Sequence, residues 1–207
     1  MPMTTSAVPA TDRSDFRHIL LSGTKVGLTT GVSVVAFLAL SRLLSPGVAQ
    51  TVLESLLVLI AAVLASLLPG QWVGSRGTEG VAGAAAVGLW GTVVFMAFDI
   101  VLLRPFKAYP WTWDAIGGGS TWWYLPIWWM LGTFVAWMGG MLTAGRNARG
   151  PASLGQIATP VVLGALVLAV IAKLTIIPVA WPVLIGGAYA VTLTALALWS
   201  LRRNNSA

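Results

Sequence analysis

The chain has 207 residues, is 57% hydrophobic and carries Asp, Glu, Lys or Arg at only 9% of positions, where a soluble domain has about 25%. That excludes a water-soluble domain and specifies an all-α polytopic membrane protein, with about six transmembrane helices and short loops. The net charge of +6 is scattered between spans rather than gathered in a stripe, so no nucleic acid is expected as a partner; the cations read as topology signals and contacts to anionic membrane lipids.

There is no cysteine, and the one histidine, His18, precedes the first apolar span. Disulfides, thiolate nucleophiles and iron–sulfur clusters are thereby excluded, and no imidazole within a span is available to haem, copper or a chlorin. Neither a metal site nor a set of catalytic residues is expected.

Residues 1–26 form a polar tail holding Asp12, Arg13, Asp15, Arg17, His18 and Lys25. It is too long and too acidic for a cleavable signal peptide. Phe16, Ile19 and Leu20 fall at helical spacing, with Ser14 as cap and Gly23 as stop, which predicts a short interfacial helix; a disordered tail is the alternative. The transmembrane domain, 27–203, contains spans at Gly27 to Leu44, Val48 to Leu68, Val81 to Leu103, Thr121 to Leu142, Thr159 to Ile177 and Val183 to Leu201, and a polar tail, 204–207, follows. Pro178 and Pro182 divide the last apolar stretch into two spans, since two prolines so close force a turn. Without that division the count is five.

Lys and Arg set the orientation. With the N-terminus inside, Arg13, Arg17, Lys25, Arg76, Arg146, Arg149, Arg202 and Arg203 lie on the inner side, against Arg42, Arg104, Lys107 and Lys173 outside. A multi-pass protein of a cell (inner) membrane with both termini cytoplasmic is expected. Gly27 and Gly31 make one small-residue ridge, Gly80, Ala84 and Gly88 a second, and Gly132, Gly139 and Gly140 play that part in the fourth span. Such ridges serve packing within the chain or docking on other membrane subunits.

Ionisable residues inside spans are costly and often functional. Glu54 lies roughly 9 Å from the outer start of its span, and Asp99 and Lys173 lie about one turn from the outer ends of theirs. Arg42, Arg104, Lys107, Asp114, Trp111, Trp113, Trp122, Trp123, Tyr124 and Trp181 share that layer. The inner half offers only hydroxyls such as Thr29, Thr30, Ser33 and Ser66. The polar groups thus form an outward cup rather than a path across, which argues against transport by this chain alone. Glu54 and Asp99 either pair with Arg42, Arg104 or Lys173 and pin helices, or contribute to a binding site.

The fourth span concentrates tryptophan. Trp122 and Trp123 belong to the interfacial aromatic belt. Trp128 and Trp129 lie about 9 Å deeper, and Trp137 deeper still. Trp122, Pro126, Trp129, Thr133, Trp137 and Gly140 share a helix face, with Trp128 pointing elsewhere. Such a face either packs in the core or makes a stacking wall for a lipid, quinone or carotenoid. Gly117, Gly118 and Gly119 precede Ser120 and Thr121 without a following Lys, so they make a hinge rather than a phosphate loop.

The layout resembles, in topology alone, the six-helix substrate-binding components of vitamin transporters. Three functions remain open. The first is a non-catalytic subunit of a membrane complex whose Trp-rich rim meets a partner, lipid or flat hydrophobic ligand. The second is a small-molecule-binding component of a transporter, and the third an enzyme acting on a lipid-linked substrate at the outer face. The binding residues expected are Trp128, Trp129, Trp137, Trp122, Trp123, Glu54, Asp99, Lys173 and Arg104.

Overall fold

A computed structural model describes residues 15–103, 105, 124–148, 150–175 and 179–205. Six helices are long and apolar enough to cross a membrane: α1 (Phe16–Leu43), α2 (Val48–Val73), α3 (Thr78–Phe98), α4 (Tyr124–Asn147), α5 (Leu154–Leu174) and α6 (Trp181–Asn205). A π-helical turn, Asp99–Leu103, continues α3. The expected fold class is the one observed, and α5 and α6 are separate spans. An even number of crossings puts the start of α1 and the end of α6 at the same end of the bundle.

Most helices run past the spans read from hydropathy, for local reasons. The carboxylate of Asp15 accepts the His18 backbone N–H at 3.1 Å, so the cap is Asp15; Ser14 lies outside the described residues. Gly23 does not stop a surface helix, because α1 continues through it to Leu43. A Cβ there would lie 2.8 Å from the Trp90 side chain, so the residue is small in order to meet α3. Helix α2 carries Pro69 and Gly70 inside it; only one backbone N–H is lost, and both residues are buried in the bundle. Helix α5 begins at a capping box in which Ser153 and Gln156 bond each other's backbone N–H, a signal independent of hydropathy. Pro182 stands in the first turn of α6, where its missing N–H would have had no helical partner.

Lipid gives no hydrophobic drive between helices, so close packing has to hold them. Helix α3 is central, lying against both α1 and α4, while α2 touches α1, α4 and α6. A Cβ on Gly27 would lie 2.5 Å from the Gly91 carbonyl oxygen, and one on Gly88 would lie 2.6 Å from that of Gly132. Ala84 faces Gly140, and Gly80 is buried, its carbonyl accepting from Ser75 Oγ at 2.9 Å. Gly27, Gly31, Ala84 and Gly88 therefore lie against neighbouring helices of the same chain. The larger core lies among α2, α4, α5 and α6, where Leu67, Ile157, Val161, Ala165, Leu193 and Ala197 have no exposed surface.

Candidate functional site

The two ends of the bundle are built differently. At the end carrying the termini, side chains reach across the helices to backbone. His18 Nε2 lies 2.9 Å from the Trp72 carbonyl oxygen; a carbonyl only accepts, so Nε2 carries the proton in that bond. Asn147 Nδ2 donates to Ser75 O at 3.1 Å while its Oδ1 accepts from Ala152 N–H at 3.3 Å. Lys25 lies over the Trp72 ring at 5.8 Å.

At the opposite end, the expected cup residues have separate local partners. Glu54 is half-buried, and its Oε1 accepts from Ser41 Oγ at 2.7 Å and from Gln50 Nε2 at 2.9 Å. Ser41 is on α1 and Gln50 on α2, so this carboxylate pins α1 to α2 through a hydroxyl. Lys173 Nζ donates to Val179 O at 3.0 Å and lies 5.7 Å from the Trp181 ring centre, closing the turn between α5 and α6. No hydrogen bond or ion pair joins Glu54 to Lys173 among the described residues. Asp99 is fully buried where the π-helical turn begins. Arg104, Lys107, Trp111, Trp113, Asp114, Gly117, Gly118, Gly119, Trp122 and Trp123 lie outside the described residues. The hydroxyls of the other half close back on their own helices, Thr29 onto Lys25 O, Thr30 onto Val26 O and Ser33 onto Thr29 O.

The deep tryptophans of α4 divide between two faces. Trp128 turns inward and meets Phe95 edge to face at 6.2 Å and 65°, beside Val34 and Met96. Trp129 and Trp137 turn outward, 40% and 47% exposed, among Ile127, Met130, Leu131 and Phe134. The three do not make a single wall. Gly132, Ala136, Gly139 and Gly140 on the other side of α4 decide this, because they let the helix backbone touch α2 and α3. Trp137 lies about 20 Å along the helix from Tyr124 and about 15 Å from Asn147, near the middle of a hydrocarbon core about 30 Å thick. Among the described residues, no hydrogen bond satisfies the indole N–H of Trp129 or of Trp137.

A second feature lies at the end carrying the termini. Leu142, Gly145 and Arg146 of α4, Pro160 of α5 and Leu196, Trp199, Ser200 and Arg203 of α6 line an open cavity of about 250 Å³. The Arg203 guanidinium stacks over Trp199 at 5.2 Å. Residue spacing offered one signal for it, Trp199 and Arg203 one helical turn apart. No group of three His, Asp or Glu side chains placed to share a metal ion occurs among the described residues.

Comparisons with protein-family models, with characterised proteins and with solved structures find no match to this chain.

Proposed function

We propose that this chain is a non-catalytic integral membrane subunit of a larger membrane complex and that it meets an apolar helix of a partner through the outward face of α4. The observation that carries this reading is Trp137, half-exposed near the middle of the membrane. An indole N–H in hydrocarbon has no water to bond, and a hydroxyl or amide group buried without a partner costs about 1–3 kcal/mol. A partner helix that presents a Ser or Thr hydroxyl, or a strained backbone carbonyl, satisfies that donor and stacks its apolar side chains against Trp129 and Met130. The bundle interior supports the same reading, since glycine contacts fill the centre where a transporter would keep a polar route.

The membrane is proposed to be the cell inner membrane, with the end carrying the termini facing the cytoplasm. Among the described residues that end has Arg17, Lys25, Arg76, Arg146, Arg202 and Arg203, against Arg42 and Lys173 at the other, the asymmetry that orients spans during insertion.

Extraction of native membranes in a mild detergent tests the assignment. The wild-type chain is expected to elute well above its own 21.7 kDa, bound to a defined partner. Trp137→Phe, which keeps a ring and removes the donor, is expected to weaken that association about threefold, the scale of one hydrogen bond between membrane helices; Trp137→Leu should weaken it further. A wild-type chain that elutes alone from native membranes would overturn the proposal.

A further inference from the structure

We infer that the cavity between α4, α5 and α6 is a binding site for the phosphate-bearing headgroup of an anionic membrane lipid. Its rim carries two guanidinium groups. Arg146 comes from the last turn of α4 and Arg203 from the last turn of α6, so the two charges approach one opening from separate helices. A guanidinium presents a planar fork of donors that matches two phosphate oxygens. Among the described residues no acidic side chain lines the cavity.

The remaining lining suits a lipid rather than a free anion. Leu142, Leu196 and Pro160 make an apolar wall. Leu163 and Val167, three and seven residues beyond Pro160 and so on its side of α5, are exposed and extend an apolar surface toward the membrane for acyl chains. Trp199 is 56% exposed and lies under Arg203, which fixes the guanidinium plane and places an indole at headgroup level. Ser200 Oγ donates its proton to Ala197 O at 2.7 Å, so toward the cavity it has only lone pairs, and these would accept from a glycerol hydroxyl. Gly145 leaves the room, and α4 touches α5 only slightly, so the opening follows from how the helices diverge. A volume of about 250 Å³ is several times the roughly 30 Å³ that one liquid water occupies, enough for a phosphodiester headgroup. Helix-end cations also complement the macrodipole, but that role requires no shared cavity.

Native mass spectrometry of the purified chain from mixed phosphatidylglycerol and phosphatidylcholine micelles tests the site. Phosphatidylglycerol is expected to be retained in preference to phosphatidylcholine. Arg146→Gln combined with Arg203→Gln should reduce its retention about tenfold or more, the scale of losing two charge-assisted hydrogen bonds, and Arg146→Lys combined with Arg203→Lys should restore part of it. Equal retention of the two lipids by the wild-type chain overturns the inference whether or not the variants fold. A folded double Gln variant with undiminished phosphatidylglycerol also overturns it. A thermal stabilisation by inorganic phosphate alone that matches phosphatidylglycerol would show a free-anion site and overturn the lipid assignment.

Discussion

At the residue scale, polar groups in this bundle are placed so that almost every proton has a named destination. Ser66 Oγ lies 2.7 Å from Ala62 O and 2.8 Å from Tyr189 Oη. A serine has one hydroxyl proton, and the Ala62 carbonyl can only accept it, so Tyr189 donates to Ser66. The two ends of this bond are therefore not equivalent. Tyr189→Phe removes a donor and leaves Ser66 bonded to Ala62, at a cost of about 0.6 kcal/mol. Ser66→Ala leaves the tyrosine hydroxyl buried and unsatisfied, costing about 1–3 kcal/mol. Equilibrium unfolding in mixed micelles should rank Ser66→Ala as the more damaging, and the reverse order would refute the donor assignment. That Glu54 sits half-buried with Ser41 and Gln50 was only half legible in the sequence. Its depth followed from counting residues, whereas its partners are polar side chains that hydropathy does not rank.

At the scale of the element, α4 shows why hydropathy locates a span without orienting it. Tryptophan is at home against lipid, against protein and at the interface, so Trp128, Trp129 and Trp137 leave the helix free to rotate. The small residues do not. Gly139 lies against the Ser66 carbonyl of α2, and Gly140 lies against Ala84 of α3. Fixing those two contacts turns Trp129 and Trp137 outward. The glycines were recognisable as contact residues from sequence, yet the face they dictate for tryptophan emerges only when the neighbours are known. A matched pair of alanines measures this. Gly139→Ala sets a Cβ against backbone that cannot yield, and should destabilise the bundle by about 2 kcal/mol or more. Gly187→Ala meets nothing within 4 Å and should be neutral or stabilise by up to about 1 kcal/mol through helix propensity. Thermal unfolding in detergent compares them directly; equal effects would mean that α2 and α4 do not approach closely.

For the whole molecule, six crossings put Asp15 and the last turn of α6 at one end, and Ser45 and Ala180 at the other. The sequence contains no cysteine, so Asp15→Cys, Ser45→Cys and Ala180→Cys each introduce a single reporter. A membrane-impermeant maleimide applied to intact cells should label Ser45→Cys and Ala180→Cys and spare Asp15→Cys. The opposite pattern would invert the proposed orientation while preserving the crossing number, and shared labelling of Asp15→Cys and Ser45→Cys would break it. The span count was legible because six apolar stretches stand between charged or proline-rich breaks. The cavity of Arg146, Trp199 and Arg203 was not, because it is a space left between helices that diverge, and no stretch of sequence encodes a gap.

Helix α1 rests mainly on α3, the helix made after its own immediate successor. During synthesis the groove of Gly23, Gly27 and Gly31 therefore enters the bilayer before the surface that fills it exists. The first two spans have to stay in lipid with that groove uncovered until Trp90, Val94 and Phe98 arrive. The vulnerable moment in the life of this protein is thus the interval between the second and third insertions, when a closely fitted glycine seam lies open to lipid.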